Sequence, residues 1–297
     1  MSADTLTFSN GALRCTVALR GAQLLSLSDG RTGDEFIWQR DPDVWSDSAP
    51  ILFPVIGRLK DGAYVHRGQR YAMQIHGFAR ELDFEVLQRD AHGVTLQLRE
   101  SAATLAQYPF DFSLRVHFTL DAYSLQVSYE VANPGTGVLP FSLGSHPGFR
   151  IPPSPRGLDD WSLVFSEQER SFCYRLDQGL LARLPSAFPM GRDRRIALTP
   201  SLFDGDAIIY KKVRSRHVRL VHRSGRVRLS MALGSAPDLG IWARPGAGYV
   251  CIEPWFGYDD DCAVSGELTA KPGIVLLPAG GRFNSGYAIS VPPAPRK

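Results

Sequence analysis

Residues 112–120 read Phe-Ser-Leu-Arg-Val-His-Phe-Thr-Leu, and after an interval of four residues 125–131 read Leu-Gln-Val-Ser-Tyr-Glu-Val. In both, apolar and polar side chains alternate one for one. That is the period of a β-strand with one face buried, not the 3.6-residue period of a helix. The pattern recurs at Thr5–Phe8, Leu13–Leu19 and Val94–Leu98. Turn formers punctuate it at short intervals, as in Ser9-Asn10-Gly11, Ser28-Asp29-Gly30, Asp61-Gly62, Ala132-Asn133-Pro134-Gly135 and Ser224-Gly225, the chemistry of hairpins and meanders. The fold class is therefore all-β, built of antiparallel strands. Helical periodicity is confined to short pieces at 101–107 and 199–203, the second with a Thr cap followed by Pro. With no linker and no fixed-period repeat, so many strands imply stacked sheets around a shared core. We expect one large sandwich, a single domain over residues 1–297.

Composition narrows the classes. A content of 44% hydrophobic and 21% charged residues is that of a folded globular protein and excludes a disordered chain. The formal net charge of +3 comes largely from the stretch Lys211–Arg228. There the basic residues alternate with Val218, Leu220, Val227 and Leu229, as on the wet face of a half-buried hairpin, and no nucleic-acid-binding motif accompanies them; a nucleic-acid partner is not expected. The four cysteines, Cys15, Cys173, Cys251 and Cys262, form no CxxC pair, so neither a zinc site nor a disulfide framework is indicated and reduced thiols are expected. The N-terminus lacks a basic region followed by an apolar run, and no apolar stretch is long enough to span a bilayer. A cytoplasmic address and no membrane partner are the expectations, with a solvated tail at 291–297.

Two segments carry chemistry that a generic β-protein does not need. In Phe141-Ser-Leu-Gly-Ser-His146-Pro-Gly-Phe149 a strand runs into Gly144 and then Pro147-Gly148, holding the imidazole at a strand end beside a fixed turn. In Tyr249-Val-Cys-Ile-Glu253-Pro-Trp-Phe-Gly257 an apolar run reads as a central strand, so the Glu253 carboxyl starts from a buried region where its pKa rises. Pro254 is expected to end that ladder, and Trp255 offers a flat face to the C–H side of a sugar. An imidazole and a carboxylate across a pocket can donate one proton and accept another in the same event. With pKa values of ~6.5 and ~6 both would work near neutral pH. The bland alternatives are a His satisfied by backbone groups at its turn, a Glu paired with an Arg, and a core Trp.

Further polar groups fall where the alternation places strand ends. Arg58 and His76 offer donors to hydroxyl groups in a partly apolar cleft, whereas Arg80 reads more readily as a solvated surface charge. Asp206, just before a strand, could accept from hydroxyls or form a turn. Asp259-Asp260-Asp261 lacks the ligand pattern of a calcium loop and reads as a solvated turn. Trp242 either lines the cleft or packs in the core. The rigid stretch Ile151-Pro-Pro-Ser-Pro-Arg-Gly157 is expected to edge the pocket.

Four blocks in order, Phe53-Pro-Val-Ile-Gly-Arg58 with Lys60-Asp-Gly62, Ile75-His-Gly-Phe78, Ser145-His-Pro-Gly-Phe149 and Cys251-Ile-Glu-Pro-Trp-Phe-Gly257, resemble the aldose 1-epimerase (galactose mutarotase-like) family, and within it the LacX-like branch. The likeness continues through Gly266-Glu-Leu268, Lys271-Pro-Gly273 and Gly280-Gly-Arg-Phe283. It implies a β-supersandwich with a sugar in an open cleft, as a monomer or weak homodimer. His146 would be the general acid on the ring oxygen and Glu253 the general base on the anomeric hydroxyl, with Arg58, His76 and Asp206 orienting hydroxyls. No metal or organic cofactor is implied. The classical galactose mutarotases resemble Asn-Arg-Ile where this chain has Gly57-Arg58-Leu59, and an extended His-Gly-Gly where it has His76-Gly77-Phe78, which separates it from a galactose preference. Hexose-phosphate epimerases share the core, and Arg58, Arg80 and the basic hairpin leave a phosphorylated sugar open.

Two rivals come from other classes. Two His and a carboxylate on a β-scaffold also describe a metal site, although these lie in three distant segments without a His-x-His pair. A non-catalytic carbohydrate-binding protein would share an aromatic cleft without needing the proton-transfer pair.

Overall fold

The two stretches that open the sequence reading become neighbouring strands, Ser113–Asp121 and Ser124–Ala132, paired antiparallel with Leu120 opposite Leu125. Leu114, Val116, Phe118 and Leu120 on one strand and Leu125, Val127, Tyr129 and Val131 on the other are buried, as the alternation requires. The computed structural model describes residues 4–187 and 190–293. Residues 1–3 of the leader reading and 294–297 of the expected solvated tail lie outside the described residues.

Among the described residues these strands sit inside a nine-stranded sheet, which includes the hairpin His217–His222 with Val227–Ala232 and the last strand, Arg282–Ser290. A six-stranded sheet stands apart from it, centred on Tyr249–Phe256, with Asp238–Trp242 on one side and Leu143–Ser145 and Gly148–Arg150 on the other. One apolar cluster takes Val116, Leu125 and Leu220 from the large sheet and Leu239, Ile241, Val250 and Ile252 from the small one. This is the sandwich core. Period two along Tyr249–Phe256 then turns Cys251, Glu253 and Trp255 to the opposite face from Val250 and Ile252. That second face carries the cleft. A smaller cluster of Leu52, Ile56, Leu181, Ala207, Ile209 and Trp255 contributes Ala207 and Trp255 to its lining.

The structure bears out the first short helix and corrects several other local readings. Ser101 caps a short helix, Ala102–Gln107, through a capping box with Thr104. The second expected helix does not form: Leu202 N–H donates to the Thr199 carbonyl in a plain turn. Pro254 does not end its strand but lies inside it, opposite Leu239. The Pro-rich loop 151–157 does not edge the cleft, because Ile151 is buried in the main core and tied to the Gly248 carbonyl. Arg228 is not on the wet face of its hairpin. It is buried, bonded to the Asp34 carboxylate and the Glu35 carbonyl, and lies over the Phe36 ring. The described cysteines carry free thiols, three of them buried. No helix among the described residues is long and apolar enough to cross a membrane.

Candidate active site

The four sequence blocks converge on one open cleft of about 340 Å³, lined by Arg58, His76, His146, Asp206 and Glu253 together with Arg80, Trp242 and Trp255. All five expected site residues therefore meet at one place.

His146 leaves the short strand Leu143–Ser145, and its backbone N–H is fixed to the Pro50 carbonyl at 3.1 Å. Its ring packs among Trp45, Trp242 and His76, at centroid distances of 5.1, 5.6 and 5.7 Å. Glu253 projects from the adjacent central strand, 1% exposed, and its Oε2 lies 3.3 Å from His146 Nε2. The two atoms approach without the alignment of a hydrogen bond: Glu253 Oε2 and His146 Nδ1 are both buried without a partner. Burial pushes the imidazole down to about 3, and the Arg80 charge adds to the effect. Burial also raises the Glu253 carboxyl well above the usual carboxylate range, reinforced by Asp259 and Asp206 and opposed by the Trp255 indole. The expected acid near ~6.5 is thus corrected, whereas the expected rise of the Glu253 carboxyl is found, since removal from water penalises the charged form of each. The buried cleft favours neutral imidazole beside a protonated carboxyl.

His76 is held differently. Its backbone adopts the left-handed region at φ 66°, uncommon for a side chain with a Cβ. In return its Nδ1 accepts from the Gly57 N–H at 3.1 Å. With Nδ1 an acceptor and the ring kept neutral by burial, the proton resides on Nε2, so His76 is a hydrogen-bond donor toward the cleft. Gly57 is required here, because a Cβ at its φ of 66° would stand 2.0 Å from the Asp259 carboxyl. That carboxylate accepts from Arg58 N at 2.7 Å, aligning the Arg58 segment. Asp206, also left-handed at φ 64°, accepts from Ala207 N at 2.8 Å and stands exposed at the mouth.

Other side chains depart from the sequence reading. Arg80 is no solvated surface charge: it lines the cleft and bonds Asp47 at 2.8 Å and Glu81 at 3.3 Å. Asp259 and Asp260 are buried, not a solvated turn, because Asp260 meets Lys271 Nζ at 2.6 Å. Trp255 is only 3% exposed and does not offer a broad stacking face. It is clamped between strands, and a Cβ at Gly240 would fall 2.5 Å from its ring. The half-buried rings at the cleft wall are Trp45 and Trp242. Trp45 was invisible to sequence reasoning, as it lies in an irregular stretch whose only local signal is a Trp with no strand period.

The aldose 1-epimerase family model matches residues 4–290 of the chain. The chain belongs to the aldose 1-epimerase family. Among curated relatives, the plasmid-encoded protein LacX of Lactococcus lactis subsp. lactis is 30% identical over 286 residues, covering 92% of this chain and 94% of the relative. Among solved structures, a galactose mutarotase related enzyme from Lactobacillus acidophilus superposes with a TM-score of 0.92 at 32% identity, covering 97% of each chain. A galactose mutarotase-like protein from Lactobacillus casei gives a TM-score of 0.92 at 28% identity, over 97% of this chain and 100% of that one. The aldose 1-epimerase fold assigned from the sequence is thus the fold observed, and its cleft is where the four blocks meet.

Proposed function

We propose that this member of the family interconverts the anomers of an unphosphorylated hexose, with His146 and Glu253 as the proton-transfer pair. The observation that carries the reading is the 3.3 Å approach of His146 Nε2 to Glu253 Oε2 in a cleft already furnished with hydroxyl donors. The pair holds one transferable proton. An imidazolium with a carboxylate and an imidazole with a carboxylic acid contain the same number of protons and differ only in where one sits. In ring opening, His146 donates its proton to the ring oxygen as Glu253 takes the proton of the anomeric hydroxyl. The bond from C1 to the ring oxygen breaks and the C1 carbonyl forms. The pair is then neutral, the form that burial favours and in which it also rests, so each opening begins with passage of the proton from Glu253 to His146, which the 3.3 Å approach permits. Rotation about C1–C2 and reversal of both transfers give the other anomer. His76 Nε2–H, Arg58 and Asp206 orient hydroxyls. A polarimetric or NMR exchange assay of α-glucose and α-galactose tests the reaction. Equal rates with and without protein on every sugar would instead favour a carbohydrate-binding module.

Charge argues for a neutral substrate. Leaving aside Glu253, which keeps its proton, the lining acids Asp47, Asp206 and Asp259 face two cations, Arg58 and Arg80, and Arg80 is already committed to Asp47 and Glu81. The basic hairpin belongs to the nine-stranded sheet and does not line the cleft. A phosphate there meets net repulsion. We expect kcat/KM for a hexose 6-phosphate to be about tenfold or more below that for the free sugar, ~1.4 kcal/mol. Faster turnover of the phosphate would reverse this part of the reading.

The pair also fixes the pH profile. His146 stays neutral down to about 3, and Glu253 keeps its proton above the ordinary carboxylate range, so the singly protonated pair persists across mild acid. Hence kcat should not fall as pH drops from about 7 to about 5, the range in which an ordinary imidazole would titrate. Asp259, raised to about 6 by burial, titrates within this window. It holds the Arg58 backbone, so its protonation should change KM modestly and leave kcat unmoved. An acid limb in kcat at the usual imidazole value would contradict this assignment.

A further inference from the structure

We infer that His146, Cys251 and Glu253 together form a binding site for a thiophilic divalent cation such as Zn²⁺, and that its occupation silences the proton-transfer pair. The effect on activity rests on the function proposed above; the binding does not. Cys251 precedes Glu253 by two residues on the central strand, so period two sends both side chains to the cleft face. One ligand atom from each of the three residues lies within 4.8 Å of the others, and all three residues are buried. Zn²⁺ in a tetrahedral N/O/S set has bond lengths of ~2.0–2.3 Å, which puts neighbouring donors ~3.3–3.8 Å apart. Contraction of about an ångström, within reach of a rotation at the Cys251 or Glu253 side chain, closes the set. Two further observations point to an ion. Glu253 Oε2 is a buried polar atom with no hydrogen-bond partner, 3.3 Å from His146 Nε2, an expense that a metal would relieve. The donor set of one thiol, one imidazole and one carboxylate is of the mixed soft and borderline kind that selects Zn²⁺ over Mg²⁺ or Ca²⁺.

The entry route is the cleft itself, past the His146 ring. On binding, the S–Zn bond forms as the thiol proton leaves to solvent, and the Glu253 proton is displaced in the same way. The fourth position faces the cleft, open to water or to a sugar hydroxyl. A bound ion occupies lone pairs of His146 and Glu253 that ring opening uses, and fixes both groups in place. The site is therefore inhibitory, and Cys251 supplies the metal sensitivity without taking part in the proton transfers.

The test uses EDTA-treated full-length protein in which the exposed Cys262 is replaced by Ser, so that Cys251 is compared without a competing surface thiol. Co²⁺ should produce a near-ultraviolet thiolate-to-cobalt charge-transfer band that Zn²⁺ abolishes. Zn²⁺ should suppress mutarotation, with EDTA restoring it. In Cys251→Ala and Cys251→Ser the band should vanish and Zn²⁺ affinity drop about 10–100-fold or more, while metal-free mutarotation is retained. The conservative Ser variant separates loss of the ligand from a packing defect. Absence of the Co²⁺ band in the unsubstituted site, or Zn²⁺ inhibition unchanged in both Cys251 variants, overturns the inference. Stimulation by Zn²⁺ overturns it too. A clear band in a protein that never catalyses mutarotation leaves the metal site standing and removes the proposed function instead.

Discussion

His146→Gln and Glu253→Gln are each expected to lower the rate of mutarotation by about 10²–10⁴-fold, the usual contribution of a positioned general acid or base. Both substitutions preserve volume and polarity while removing the transferable proton. The double variant should be little slower than either single one, because two groups that pass protons in one event act as a unit. Stability provides the control. Glu253 is a fully buried carboxyl whose charge is disfavoured by burial and by Asp259 and Asp206, and it makes no aligned hydrogen bond through Oε2. Replacing it with a neutral amide therefore leaves the folded state as stable or more so, and Glu253→Gln should melt no lower than the parent. Loss of activity with undiminished thermal stability identifies a residue retained for chemistry at a cost in stability. Polarimetry on α-glucose and a melting curve on the same samples read both quantities. An unchanged rate in either variant would refute its role.

The strands were the most legible part of the sequence. Alternation at 112–120 and 125–131 located two strands to within one residue at each end, because a sheet with one wet face writes its period directly into the chain. The strand carrying Glu253 is buried on both faces, and there the period fades. Its Pro254 consequently looked like a terminator, whereas it lies within a short-edged ladder. The five expected site residues were legible because each is a polar side chain in a segment marked by a nearby Gly or Pro, although Glu253 lies within its strand and not at its end. What the sequence concealed was electrostatic and non-local. Nothing near residue 259 announces that Lys271 folds over Asp260 and turns a run of three acids into buried structure. Nothing near Trp45 says that its ring rests on His146. Nor does the sequence reveal how little water surrounds the pair, and that missing water moves His146 so far below the ordinary imidazole value.

The buried pair beneath the cleft yields the largest expected effect on stability. Lys271 Nζ donates to Asp260 Oδ1 at 2.6 Å and to the Tyr258 carbonyl at 2.7 Å, and the two side chains are 3% and 4% exposed. Lys271→Met removes the cation but leaves the Asp260 carboxylate in place. An uncompensated buried charge of this kind costs ~3–5 kcal/mol, to be read as a lowered urea midpoint. The loss should be partly relieved in the double variant Asp260→Asn with Lys271→Met. There the charge is gone, and the amide oxygen can still accept from Lys60 N, as Asp260 Oδ2 does at 3.0 Å. The pair also reaches the cleft. Asp260 N–H donates to the Arg58 carbonyl at 2.9 Å, while neighbouring Asp259 accepts from Arg58 N at 2.7 Å, so the acidic run grips the Arg58 backbone from both sides. Loosening that grip displaces Arg58 without touching His146 or Glu253. Below its unfolding transition, Lys271→Met is therefore expected to raise KM for the sugar with kcat nearly unchanged. Glu253→Gln should show the opposite split. A Lys271→Met variant within about 1 kcal/mol of the parent would mean that water reaches Asp260, and the rigid support inferred for Arg58 would fall with it.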